Sequence, residues 1–557
     1  MFRFSHHWRL GFTLAVLLAL PVFTYQNTIF ARFGLRDDYS VLREVHEEPG
    51  KVTAFCASHA RPILGWLMEQ SFRPLHVIDD LKWGRLLAAF CIGLVAAGTV
   101  LVLVRQLGWR LTTAALVGGL IVVLPSSQVL VGWAICWGHL VGLLLGIAGF
   151  AAAEHGLRGG GPARWRWLLL GWACVVAGAV TYQSNALFYT VFLAAALPGL
   201  RTQPPRARLT WLGAHLGVIG AGMTGAFLLA KGLFATGIFL QSERVAFEPD
   251  LWGKLGWFVR EPLGNALSFI VINDDEGRTA LWHLLLMVLV AGVIGAGAIG
   301  ELRRHGRASG ALWSASLLGL PILAYAVSII AAERWSTYRT IYALTGVLLV
   351  FFTHGLEHIA HRWGRFSRWF APGVLALLVV AGWVFARQQA YELIAVPQQR
   401  ELAMMTDAAG RIDPSRHERV FVLTPDADDS CGALTYADEF GSLSTASEWT
   451  PKEMLKHVMH ERYPALADVN TRYTLTCEDH CSPTAHFDVT IDLPSEFAAL
   501  KPEGAMLAAC RPELRDTLAA IQPPKLSGHT AHDLLTWGVD VLSTVAVVLG
   551  VLVVALV

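Results

Sequence analysis

Gly34-Leu35-Arg36-Asp37-Asp38-Tyr39-Ser40 lies just past the first long apolar run of the chain, which ends near Ile29. A membrane helix should hand over to water here, and two adjacent carboxylates at a bilayer surface are poor packing groups. The rest of the chain agrees. Its 557 residues are 54% hydrophobic and only 16% charged, with a mean hydropathy of +0.47, values of a polytopic membrane protein. A net charge of +1 offers nothing to nucleic acid. The N-terminal run after Arg9 is long for a signal peptide and lacks a small-x-small cleavage site, so it reads as a retained helix. Trp8, Trp83, Trp109, Trp165, Trp211 and Trp335 stand at predicted helix ends, as an interfacial belt requires.

A crossing needs about 20 apolar residues, fewer inside a bundle. Helices are predicted near residues 10–30, 82–104, 111–126, 128–152, 167–181, 185–199, 210–234, 280–300, 311–332, 339–356, 370–386 and 534–557. The short pair at 167–199 also reads as a re-entrant element. The basic groups Arg3/Arg9, Arg105/Arg110, Arg158/Arg164/Arg166, Arg201/Arg206/Arg208, Arg303/Arg304/Arg307 and Arg362/Arg365/Arg368 then all fall on one face, which the positive-inside rule makes the cytoplasm. The predicted fold is a polytopic α-helical membrane protein of about 12 transmembrane helices with a small periplasmic α+β domain. Residues 1–386 form the membrane domain with periplasmic loops 31–81 and 235–279, 387–533 the periplasmic domain, and 534–557 a C-terminal transmembrane helix.

After Asp38, Val41, Leu42 and Val45 recur at helical spacing with Arg43, Glu44, Glu47 and Glu48 opposite, which predicts a helix lying in the interface. Asp38 would sit near its N-terminus, where a carboxylate suits the cap and the dipole. In 387–533, strands are predicted at Arg419-Val420-Phe421-Val422-Leu423 and from His486 to Leu493, and a helix from Pro451 to Glu461. Gly213, Gly217, Gly220, Gly292, Gly295 and Ala296 are expected to let helices pack closely. Cys431, Cys477, Cys481 and Cys510 fall in the oxidising compartment and are expected to form disulfides, ahead of a metal site at Cys477-x-x-x-Cys481.

Three polar clusters interrupt the apolar pattern. Asp37 and Asp38 are either a solvated cap or a general base, with a divalent-cation site as the cofactor alternative. Glu333-Arg334-Trp335-Ser336-Thr337-Tyr338-Arg339-Thr340 places two arginines on the wrong side for positive-inside. They either pair with carboxylates or bind phosphate, with Tyr338 as a further donor. Thr181-Tyr182-Gln183-Ser184-Asn185 is most simply helix-end hydrogen bonding. His59-Ala60-Arg61-Pro62 precedes a helical run, and Asn273-Asp274-Asp275-Glu276 reads as an acidic first turn. There is no phosphate-binding glycine loop and no zinc-protease motif.

A first membrane helix followed by Asp-Asp resembles the C-type integral-membrane glycosyltransferases. More narrowly, Arg36-Asp37-Asp38-Tyr39 with His59-Ala60-Arg61-Pro62 is similar to the phage-type serotype-converting glucosyltransferases, where Gly-Arg-Pro follows the aspartates. Leu124-Pro125-Ser126-Ser127-Gln128, Tyr182-Gln183 and Tyr338-Arg339-Thr340 also look like segments of that group, and the resemblance covers about the first 390 residues. It implies a polyprenyl-phosphate-sugar donor and a glycan, lipid or protein acceptor at the periplasmic face of the bacterial inner membrane. Asp38, or Asp37 beside it, would be the base. Arg334 and Arg339 would hold the phosphate, with Tyr338, Arg61, His59 and Gln183 around the substrate. A polysaccharide ligase and a lipid or glycan transporter without chemistry are the competing functions.

Overall fold

A computed structural model describes residues 2–159, 161, 163–273, 280–361, 367–425, 439–447, 449–466, 468–479 and 486–494. The expected helix at 534–557, Cys431, Cys481, Cys510 and Asp274, Asp275 and Glu276 lie outside them.

The helices run in chain order as α1 (Phe2–Ile29), α2 (Asp37–Glu47), α3 (Lys51–Ser58), α4 (Pro62–Phe72), α5 (Leu81–Arg105), α6 (Leu111–Val123), α7 (Pro125–Gly132), α8 (Trp137–Gly159), α9 (Arg164–Ala186) and α10 (Tyr189–Leu200). They continue as α11 (Pro205–Ala235), α12 (Leu251–Arg260), α13 (Pro262–Leu267), α14 (Ala280–Ala324), α15 (Ala326–Ile330), α16 (Tyr342–Ala360), α17 (Ser367–Gln389), α18 (Val396–Ala409) and α19 (Thr450–Arg462). Among the described residues, eight helices are long and apolar enough to cross a membrane, or nine if α6 and α7, bent by 50° at Leu124-Pro125, form one span.

Over 280–332, where the sequence predicts two crossings, α14 folds back on itself at Gly306. Gly306 has φ +81, and a β-carbon on Gly310 would lie 2.8 Å from the Leu302 Cα. Eight residues of straight helix span about 12 Å, so the two arms lie side by side. Ser309 donates to Glu301 across them at 2.6 Å. The expected pair at 167–199 is α9, kinked where Tyr182 leaves helical geometry (φ −154°), followed by the short α10.

The packing glycines are not those the sequence suggested. Gly213, Gly217, Gly220, Gly292 and Gly295 face open space. Helix contact runs instead through positions such as Gly355 of α16, where a β-carbon would come within 2.3 Å of the Val293 carbonyl oxygen.

Beyond α17 the helix passes through a π-turn (Ala390–Ala395) into α18. A three-stranded parallel sheet follows, β1 (Arg419–Leu423), β2 (Thr474–Glu478) and β3 (Val489–Asp492), in the order β2-β1-β3. The near-continuous apolar run Val420-Phe421-Val422-Leu423 is buried, as befits a central parallel strand. The α19 helix lies where the sequence placed one, and it docks on α2. Arg43 Nε pairs with Glu453 at 2.5 Å, Arg32 with Glu461 at 2.5 Å, and His457 Nε2–H donates to the Tyr39 carbonyl at 2.9 Å. The α2 helix forms as predicted, but Val41, Leu42 and Val45 are buried against protein. It is therefore a packed helix and not one lying in the bilayer interface.

Candidate functional site

The turn after α1 is fixed from α5. The fully buried Arg85 donates to the carbonyls of Ile29, Phe33 and Ala31 at 3.1, 2.9 and 2.5 Å and lies 4.1 Å over the Phe33 ring. Arg36 then takes φ +44, a left-handed conformation that costs a non-glycine residue about 1–3 kcal/mol. Its N–H donates to Ser444 Oγ at 2.8 Å and its guanidinium pairs with Glu439 at 3.1 Å, so the strain is held by residues some 400 positions away.

The two aspartates part company at this turn. Asp38 is fully buried; it accepts N–H bonds from Leu35 (2.9 Å), Ala134 (3.3 Å) and Ile135 (3.0 Å). It ties the start of α2 to the turn Ala134–Cys136. Burial pushes its carboxyl up to about 7, against the pull of those amides and of Arg85. Asp37 is half-buried and accepts a bond from the Trp449 indole N–H at 3.0 Å. Burial raises its carboxyl, while Arg339, Trp449 and Arg36 pull it back down. The expected role of Asp38 as base meets an oxygen pair already engaged and closed to solvent; Asp37 is the partly open carboxylate.

A cleft of about 320 Å³ opens between the His59–Arg61 turn, the α9 kink, α11 and the segment 331–340. Three guanidiniums line it. Arg339 lies 4.6 Å over Trp133 and 5.7 Å over Trp335. Arg61 stacks on Tyr182 at 4.5 Å and donates to Gln183 Oε1 at 2.9 Å. Gln183 in turn donates to the carbonyls of His59 and Ala60, both at 3.3 Å. Arg244 pairs with Glu333 at 3.3 Å and lies 5.3 Å over Trp335. Aromatic faces hold these cations in place beside the cleft. From α11 the cleft is lined by apolar Met223, Ala226, Phe227, Ala230 and Phe234, with Lys231 among them.

His59, Arg61, Gln183 and Arg339 are thus brought together from three distant stretches. The His59 ring donates from Nδ1 to the Phe55 carbonyl at 2.8 Å, and burial lowers its pKa, leaving it neutral at pH 7. Arg334 and Tyr338 are not part of the lining. Arg334 lies 3.8 Å from Glu248, and Tyr338 is buried with its ring edge-on to Phe440 at 5.5 Å. The sequence reading missed Arg244, Lys231, Trp133 and Trp449.

A divalent cation would need converging open carboxylates, and the bonds to Asp38 leave only Asp37 open at this turn. Among the described residues the one metal-like grouping is Glu301, His305 and His358. There both Glu301 oxygens already accept from the Arg201 fork, at 2.9 and 2.6 Å, so the cluster reads as an ion-paired brace.

No family model matches the chain, and no curated protein matches it. Among solved structures it is similar to the archaeal oligosaccharyltransferase AglB from Archaeoglobus fulgidus, solved with an inhibitory peptide and a dolichol-phosphate. The identity is 13% and the TM-score 0.43, over 82% of this chain and 64% of that one. The match therefore spans less than two thirds of that protein's length.

Proposed function

We propose that the chain is a membrane glycosyltransferase that moves a sugar from a polyprenyl-phosphate donor to a glycan, lipid or protein acceptor at the periplasmic face of the bacterial inner membrane. The observation that carries this reading is the mixed lining of the cleft, in which Arg61, Arg244, Arg339 and Lys231 accompany an apolar row from α11. That mixture suits an amphiphile with an anionic head and a hydrocarbon tail. Charge alternation along the sequence supports the periplasmic assignment.

In this mechanism the guanidiniums hold the donor phosphate. Asp37, within electrostatic reach of Arg339, accepts the proton of the acceptor hydroxyl. As the new glycosidic bond forms, the sugar–phosphate bond breaks, and the arginines stabilise the charge gathering on the departing phosphate. Asp38 holds Asp37 in place through the 134–135 amides. The raised carboxyl of Asp37 suits a base better than an ordinary exposed aspartate would.

The test is incubation of purified protein with polyprenyl-phosphate sugars and measurement of released polyprenyl phosphate. Release lost in Asp37→Asn and sharply reduced in Arg339→Ala is the expected result. Release that depends on the arginines but survives Asp37→Asn identifies a ligase, and binding without release in the wild type identifies a transporter.

A further inference from the structure

We propose that residues 238–259, a strap and short helix between α11 and α13, are seated in the headgroup–acyl boundary of the bilayer and form a membrane-embedded rim of the cleft. The segment exposes Ile238, Leu240, Phe247, Leu251, Trp252 and Val259, with Leu240 84% and Trp252 85% accessible. They alternate with exposed Glu243, Arg244 and Asp250, a mixture of apolar and charged side chains that suits a headgroup–acyl boundary.

The occupant follows from continuity. The segment begins just past α11, whose Leu216, Phe227, Leu228 and Leu229 are exposed along a helix long and apolar enough to cross a membrane. A 31-residue helix is about 46 Å long, more than the ~30 Å hydrocarbon core, so its end reaches headgroup level. The α12 helix is divided accordingly. Lys254, Trp257 and Phe258 face inward, and Leu251, Trp252 and Val259 face out. The Lys254 charge is turned inward too, its Nζ donating to the carbonyls of Ala331 (2.8 Å) and Glu333. The outward face is left apolar, with Arg260 at its C-terminal end able to reach the headgroups.

Backbone bonds fix this rim to the cleft. Ser242 N–H donates to the Ser58 carbonyl at 3.0 Å, Glu248 N–H to Ile330 at 2.9 Å, and Ala332 N–H to Ala246 at 2.9 Å. Arg244, which lines the cleft, and Trp252, which faces away from it, therefore sit on one short braced segment. Exposed Phe55 and Trp66 of the neighbouring α3 and α4 extend the same kind of surface. A bilayer fits it; a second copy of the chain is the competing occupant.

The experiment places wild-type protein in phosphatidylethanolamine–phosphatidylglycerol vesicles containing a phosphatidylcholine with a diazirine on its acyl chain. After photolysis, adducts are mapped by mass spectrometry. Adducts within 238–259 at a density comparable with those on α11 are expected. Adducts on α11 with none in 238–259 overturn the proposal, as do cross-links between copies through this segment without lipid adducts. Leu240→Glu combined with Trp252→Glu should lose the rim adducts and keep those on α11; persistence of both overturns the assignment to these side chains.

Discussion

Replacing Asp38 with alanine should unfasten the first loop, whereas replacing Asp37 with asparagine should remove the base. The Asp38 carboxylate accepts three backbone N–H bonds at 2.9, 3.3 and 3.0 Å in a fully buried position. A buried donor left without an acceptor costs about 1–3 kcal/mol. With some relaxation, three of them, together with the nearby unbalanced Arg85, sum to ~3–5 kcal/mol. At about 2 cal/mol/K of unfolding entropy per residue, that lowers the thermal midpoint by roughly 3–4 °C. Asp37 is half-buried and keeps one side-chain bond, so Asp37→Asn should cost about 0.5 kcal/mol or less. Thermal challenge of detergent-solubilised protein, followed by size-exclusion chromatography and a polyprenyl-phosphate release assay, separates the two effects. Burial also holds the Asp38 carboxyl near 7, above its unfolded value of about 3.9. Folding therefore takes up a proton between those values, and stability falls as pH rises from about 4 to about 7, by up to ~1.4 kcal/mol per unit. Asp38→Asn should lack that slope. A wild-type midpoint in Asp38→Ala, or full release by Asp37→Asn, refutes the division of labour.

Ala60 has φ +62, so Ala60→Gly should relieve left-handed strain and raise stability by about 0.5–1 kcal/mol after the extra freedom of the unfolded glycine is counted; an unchanged or lower midpoint argues against strain there. Arg339→Lys keeps the charge and loses the planar fork stacked on Trp133 and Trp335, and the donor KM should rise about tenfold, ~1.4 kcal/mol. Trp449→Phe removes the indole bond that pulls the Asp37 carboxyl down, so the ascending limb of the rate–pH profile should move to higher pH. A limb that stays in place means that Trp449 does not set the state of the base.

What could be read from the sequence was whatever depends on local pattern. Val41, Leu42 and Val45 announced α2 through their spacing, Val420-Phe421-Val422-Leu423 announced a buried strand, and paired basic clusters divided the apolar runs. Spacing could not say what covered the apolar face of α2, because its cover, α19, is made of residues some 400 positions later. The sequence favours Asp38 as the base, and nothing near it in the chain shows that its carboxylate is taken up by the amides of Ala134 and Ile135, almost 100 residues on. Arg334 and Arg339 look equivalent in sequence, five residues apart on one loop. Glu248 and Trp133, neither nearby in the chain, give them different surroundings. Arg244 is a single arginine in a long loop, with no pattern around it to mark it.

The clasp between the first loop and the 439–461 region also has a schedule. Arg36 and Asp37 leave the ribosome about 400 residues ahead of Ser444 and Trp449. At 5–20 residues per second, that is a wait of roughly 20–80 s. Throughout that interval the left-handed turn at Arg36 lacks the hydroxyl and the carboxylate that hold it, while Arg85 is already in place to grip the carbonyls beneath. The site is therefore assembled from both ends of the chain, early scaffold first and fastening last. A nascent chain that stalls before residue 439 should carry every cleft arginine and still lack the bonds from Ser444, Glu439 and Trp449 to Arg36 and Asp37.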